Sequence, residues 1–330
     1  MSGFGHPRPS RRGSAPALDG ATGWLGSAPL PPDALRGRVV LYVFWTYTCI
    51  NWLRMLPYVR AWAARYRDRG LLVIGIHTPE FSFERDPANV RRAIGSSAIE
   101  FPVALDGDYA LWRSFDNHYW PARYLADGHG VIRHEHFGEG RYGETDRAIR
   151  VLLAETGVTG PDSDALDVRG TGVEAPADWT ELESQETYLG HDRADRFASD
   201  MPMVLGASNS YAPAERLDRD EWTLSGAWTV IAERITADRP HAGLAVRFHA
   251  RDLNVVMAPT DPGLPVRFRV SLDDRAPGDA HGGDLGPAGS GVLAEPRMHQ
   301  LLRQPRPIAD RTARLTFLDA GAAAYVLTFG

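Results

Sequence analysis

The residue best suited to covalent chemistry in this sequence is Cys49, the single cysteine of 330 residues. It follows the apolar run Val39–Trp45 (VVLYVFW) and precedes a stretch with helical spacing. Its sulfur is therefore expected at the first turn of a helix, where unpaired backbone N–H groups and the helix dipole favour an anion. Such a setting lowers a thiol's pKa, and the thiolate is the species that attacks disulfides or peroxides. The competing role for a single cysteine is that of a small buried hydrophobe. One cysteine excludes an intramolecular disulfide and agrees with a reducing compartment.

Other candidates carry less. His77 and Glu80 follow a second apolar run and are placed to move protons near the thiol, although packing at a sheet end suits both equally. A one-cysteine peroxidase would have Pro seven residues and Thr or Ser three residues before the cysteine; Thr46 fits, but Tyr42 stands at the first position. His134 and His136 alternate along one expected strand face, two ligands without a third, so no metal is expected. The Gly278–Gly291 loop has neither a Lys nor a following helix and reads as a connection rather than a phosphate cradle. Trp222 and Trp228 offer rings for stacking on a sugar, or core.

The elements that must position Cys49 are legible as buried strands and amphipathic helices. Val39–Trp45 and Leu71–His77 are continuous apolar runs of the kind buried on both sheet faces. Between them Leu53, Leu56, Val59, Trp62, Ala63 and Tyr66 recur at helical spacing, with Pro57 as an expected kink and Gly70 as the stop. Strand, helix, strand implies a parallel pair. A short helix is expected near Pro87–Ile94, an apolar segment at Phe101–Leu105 and a helical one at Asp108–Phe115. Arg123–Ala126 and Val131–Phe137 alternate around Asp127-Gly128-His129-Gly130, a hairpin signal, and Glu144–Glu155 is an amphipathic helix.

A chain of this length suggests two domains. Residues 1–14 read as a disordered tail and residues 158–184, rich in Gly, Asp and Thr, as a linker. From about Gln185 the helical period gives way to alternation between Gly and Pro punctuation, an all-β pattern. The net charge of −6 argues against a nucleic-acid partner, every basic residue is Arg, and no apolar run is long enough to insert in a membrane. Residues 1–14 also hold no apolar run of the length an export signal requires, so a cytoplasmic location is expected.

The runs FWTYTCINWLRMLPYVRAW, GLLVIGIHTPEFSFERDPANVRRAI, YWPARYL and HFGEGRYGETDRAI resemble the redoxin-type thioredoxin domain of the DipZ cytochrome c biogenesis proteins. ETYLG, LSGAW, AVRFHARDL, LLRQP and the final VLTFG resemble the β-sandwich, carbohydrate-module-like domain that follows it in that family. The resemblance implies an α/β thioredoxin fold over residues 15–157, a central mixed sheet flanked by helices, then an all-β, jelly-roll-like sandwich over 185–330. It also implies that Cys49 is the nucleophile, that Trp120-Pro121 is a cis peptide bond facing it, and that Thr48, Ile50, Asn51 and Trp52 complete the motif; Trp45, Tyr47 and Thr48, just before the sulfur, are placed to shape a groove, although core packing explains Trp45 equally well. Where the family reads Cys-Ile-Asn-Cys this chain reads Cys-Ile-Asn-Trp, so the resolving thiol is replaced by an indole that can also bury the sulfur. The function implied is monothiol exchange with a disulfide-bearing protein or small thiol and without a cofactor. The alternative is a redox-inactive binding or scaffold protein, and a saccharide is the ligand expected of the second domain on analogy of fold.

Overall fold

A computed structural model describes residues 13–157 and 166–330. The chain divides between Gly170 and Thr171 into two compact units, inside the expected linker.

The first unit is a six-stranded sheet with helices on both faces. Its elements are β1 (Gly23–Leu25), α1 (Pro32–Leu35), β2 (Val39–Trp45), α2 (Ile50–Tyr66), β3 (Leu71–His77), α3 (Pro87–Ser96), β4 (Val103–Leu105), α4 (Ala110–Ser114), β5 (Ala122–Ala126), β6 (Ile132–Phe137) and α5 (Tyr142–Glu155). The order β1-β4-β3-β2-β5-β6 places β2 and β3 at the centre. They run parallel, joined by α2, with Val39 opposite Leu71 and Trp45 opposite His77. β5 lies antiparallel against β2. This is the thioredoxin fold.

Alternation along β2 sends its side chains to two cores. Leu41, Val43 and Trp45 join α2, α3 and α5, whereas Val40, Tyr42 and Phe44 pack with Leu111 and Phe115 on the opposite face. Pro57 is accommodated inside α2, which continues to Tyr66 before a 3-10 turn ends at Gly70, φ 97°. The β5–β6 turn is held by Asp127, whose Oδ1 accepts the N–H groups of His129 and Val131, each at 3.0 Å.

Gly75 faces the same core. A Cβ there would lie 2.8 Å from Trp45 Nε1 and 3.1 Å from a Phe101 ring carbon. Overpacking of this kind costs about 1–3 kcal/mol, so Gly75→Ala is expected to lower the urea midpoint of the first unit. An unchanged midpoint would show that Trp45 moves freely.

The second unit contains β7 (Thr187–Tyr188), β8 (Ser208–Tyr211), β9 (Trp222–Val230), β10 (Ile235–Ala237), β11 (Ala242–Phe248), β12 (Asp252–Pro259), β13 (Val266–Leu272), β14 (Ser290–Leu293), β15 (Arg297–Arg303), β16 (Arg311–Phe317) and β17 (Ala322–Phe329). They form one curled antiparallel ladder, β14-β13-β16-β11-β9-β10-β17-β12-β15, with β7 on β17 and β8 on β9. Strand β9 makes the corner between the two layers of the sandwich. Its first half pairs with β11 and its second half with β8 and β10, on either side of Gly226 at φ 81°. Trp222 and Trp228 are fully buried in the core between the layers. Their Nε1 groups donate to the carbonyls of Asp195 and Ser225. Of the two roles open to these rings, the structure gives both the core one: the alternation of β9 turns both inward.

Of the expected tail, residues 1–12 lie outside the described residues, while Gly13 and Ser14 lie along β6: the Gly13 carbonyl accepts from Ile132 N at 3.0 Å and Ser14 bridges Val131. Of the expected linker, 158–165 lie outside them as well. Gly172 and Pro176 offer their carbonyls to Arg303 and Arg251, and Asp178 pairs with Arg306, so this stretch is fastened to the second unit.

Candidate active site

The site is assembled where β2 ends. Cys49 caps α2 with extended backbone, its carbonyl accepting from Leu53 N at 3.1 Å, and it keeps partial exposure. Its Sγ lies 3.8 Å from the carbonyl oxygen of Trp120, within reach of a weak S–H···O contact. The Trp120-Pro121 bond is cis, as the resemblance implied. The Cys49 sulfur thus lies beside the peptide bond that leads into Pro121, 72 positions on in sequence.

Several contacts fix Pro121. Gly138 N donates to its carbonyl at 2.7 Å, and the adjoining Glu139 pairs with Arg54 of α2 at 3.2 Å. That pair is nearly enclosed, and burial raises the Glu139 carboxyl while Arg54 opposes the shift. Trp120 is anchored by its Nε1 on the Thr78 carbonyl at 3.0 Å and by a tilted ring contact with Trp112 at 4.2 Å. Two residues beyond Pro121, Arg123 is fully buried, donating to the Gly140 carbonyl at 2.8 Å and lying over the Trp62 and Tyr142 rings. Sequence reasoning missed it. The alternation of ARYLA puts Arg123 on the face of Leu125, which was the available signal.

The rest of the motif divides between surface and core. Ile50 is buried, Asn51 is half-buried, and Trp52, at the third helical position, is fully buried. The Trp52 indole packs at 4.8 Å from the ring of Trp45, in the core beneath the turn. It therefore does not seal off the sulfur, contrary to one expectation. Trp45 is a core residue, and Tyr47 stacks on His77 at 5.7 Å. His77 is 1% exposed, and burial holds its imidazole down at about 3. It stays neutral at physiological pH and is not a proton carrier there.

The polar group that reaches the motif is Glu84, which the sequence reading passed over. It is fully buried, with Oε1 accepting from the Thr48 hydroxyl at 2.6 Å and Oε2 from Glu80 N at 2.6 Å and Phe81 N at 2.9 Å. Burial pushes its carboxyl up to about 7, opposed by the hydroxyls of Thr46 and Thr48 and by the Phe81 N–H. The expected contributor from this loop, Glu80, supplies its backbone N–H to that carboxyl.

Away from the turn, His134 and His136 spend Nε2 on the Thr145 hydroxyl and the Glu139 carbonyl, each at 3.2 Å. Burial, then Arg123, lowers both imidazoles. Tyr42, at the peroxidase proline position, belongs to the opposite core and does not reach the thiol.

Both units are similar to known proteins. Residues 184–330 match the family model described as a thioredoxin-like C-terminal domain. The DipZ protein of Mycobacterium bovis is 37% identical over 261 residues, 77% of this chain. The chain belongs to the DipZ-type thioredoxin-like proteins. It spans 36% of the length of that DipZ relative. YkuV of Bacillus subtilis, a thiol-disulfide oxidoreductase by name, is 28% identical over 141 residues, 43% of this chain and 95% of YkuV. A thioredoxin-like protein solved in its oxidised form is 29% identical, covering 44% of this chain and 97% of its own, with a TM-score of 0.41. The first unit of this DipZ homologue thus falls in the thioredoxin-like thiol–disulfide oxidoreductase family. Among its described residues no helix is long and apolar enough to cross a membrane.

Proposed function

We propose that the first unit exchanges disulfides as a monothiol. The Cys49 thiolate attacks one sulfur of a substrate disulfide, forming a mixed disulfide and releasing the other sulfur as a thiolate. An external low-molecular-weight thiolate then attacks the Cys49 sulfur or the substrate sulfur and frees one of them. No partner within the motif can do this, because Trp52 stands at the third helical position where the family carries its second cysteine.

The observation that carries this reading is the partly exposed Cys49 at the head of α2, with its Sγ 3.8 Å from the carbonyl oxygen of Trp120. An extended substrate segment laid beside residues 120–121 would meet a backbone acceptor next to the reacting sulfur. The partner is a protein disulfide or a small disulfide, and a reducing, cytoplasmic setting would supply the external thiol.

The test is trapping. Incubated with oxidised glutathione or a disulfide-bonded peptide, the intact chain should gain one adduct mass on Cys49, lost on adding excess free thiol. A folded chain that forms no adduct would support the redox-inactive binding protein instead.

A further inference from the structure

We propose that Glu84 is a positioning residue for the Cys49 thiol: through Thr48 it holds the turn that presents the sulfur, and its charge sets how fast that sulfur reacts. The proposal rests on Cys49 being the reacting group of the site described above.

The geometry is specific. Glu84 accepts from two separate segments, the turn at Thr48 and the loop after β3 at Glu80 and Phe81. One carboxyl therefore fastens the residue immediately before the nucleophile to the neighbouring loop. Thr48 is the residue immediately before Cys49, so a charge bonded to its side chain acts one residue away from the nucleophile along the chain. A carboxylate at that range disfavours a second anion, and a carboxylic acid does not.

The groups facing Glu84 are few. From its own loop comes Glu80, whose charge further favours the protonated form. Tyr109, at the head of α4, donates to the Pro79 carbonyl and lies under the Arg85 guanidinium at 5.5 Å. His77, at the end of β3, is neutral, and Thr46 and Thr48 bring hydroxyls from the turn. With burial setting its titration near 7, Glu84 changes charge in the physiological range. A Glu retained only to stitch the loop would leave no trace in the pH dependence of the thiol.

The experiment is alkylation of the full chain by iodoacetamide between pH 5 and 9, with Cys49 modification followed by mass spectrometry. The parent rate should rise in a drawn-out profile containing two ionisations, the lower near pH 7. Glu84→Gln should show one ionisation and react about three- to ten-fold faster on the rising limb, the effect of deleting one nearby charge in a partly screened site. Thr48→Val removes one donor from the carboxylate and should move the lower ionisation to higher pH, which keeps the proposal testable if Glu84→Gln does not fold. A single-step parent profile, an unchanged profile in Glu84→Gln, or an unmoved lower step in Thr48→Val would overturn it. Iodoacetamide needs no disulfide substrate, so failure of the trapping test above would remove the exchange function and leave this result standing.

Discussion

Trp52→Cys is expected to turn a monothiol site into a dithiol one, raising dithiothreitol-driven insulin reduction by about 100-fold while making the reduced first unit less stable by about 3 kcal/mol. The gain follows from position. Residues 49 and 52 flank one helical turn, where side chains three apart are neighbours, and the Cα separation of such a pair falls in the range a disulfide spans. A second thiol there attacks the mixed disulfide as a held neighbour, at an effective concentration no free thiol matches. The cost follows from packing. Trp52 is fully buried against Trp45, and truncating a buried Trp leaves a cavity that its neighbours only partly fill. Urea unfolding under reducing conditions checks the cost and insulin turbidity checks the gain. A folded variant that closes the disulfide yet reduces no insulin would show that the groove around Trp120 and Pro121 no longer accepts substrate.

The parts of this structure that could be read from the sequence are those with long apolar periods. Strands β2 and β3 begin and end where the runs VVLYVFW and LLVIGIH do, because a parallel strand buried on both faces leaves no polar alternation to blur its ends. The three-residue β1 and the one-turn α1 were not foreseen. Elements so short carry no period, and β1 exists because β4 offers it an edge. Cys49 and Pro121 were legible because a strand–helix junction and a family motif marked them. Glu84 was not, because in TPEFSFERDP it looks like one of several surface acids. A faint signal was present: a Glu at the third position of a short helix can reach back to the N–H at the helix head, as Glu84 does to Phe81. Only the tertiary approach of Thr48 turns that local cap into part of the site.

The last expectation concerns acid. His77, held at about 3, binds no proton in the native state between pH 6.5 and 3, whereas the unfolded chain does, so its contribution to stability falls as pH drops through that window. Glu84, held at about 7, does the reverse: the native state keeps a proton that the unfolded chain releases between pH 4.5 and 7, so its contribution is full below 4.5 and is lost as pH rises to 7. From 4.5 to 6.5 the two slopes have opposite sign and similar size, each about 1.4 kcal/mol per pH unit at most. Together these two groups should therefore contribute little net slope through mildly acidic pH and an acid-side loss below about 4.5. His77→Phe removes one side of the balance: Nε2 makes no hydrogen bond among the described residues, and the ring's remaining polar contact is to its own backbone. Relative to the parent, that variant should gain stability steadily from pH 7 to 4.5, by roughly 2–3 kcal/mol, and Glu84→Gln should lose it over much the same range. Because His299 gives the second unit an acid-sensitive slope of its own, hydrogen exchange at the β2 and β3 amides is the measurement that isolates the first unit. Parallel pH dependence in the two variants would show that these buried groups do not carry the opposing charges assigned to them.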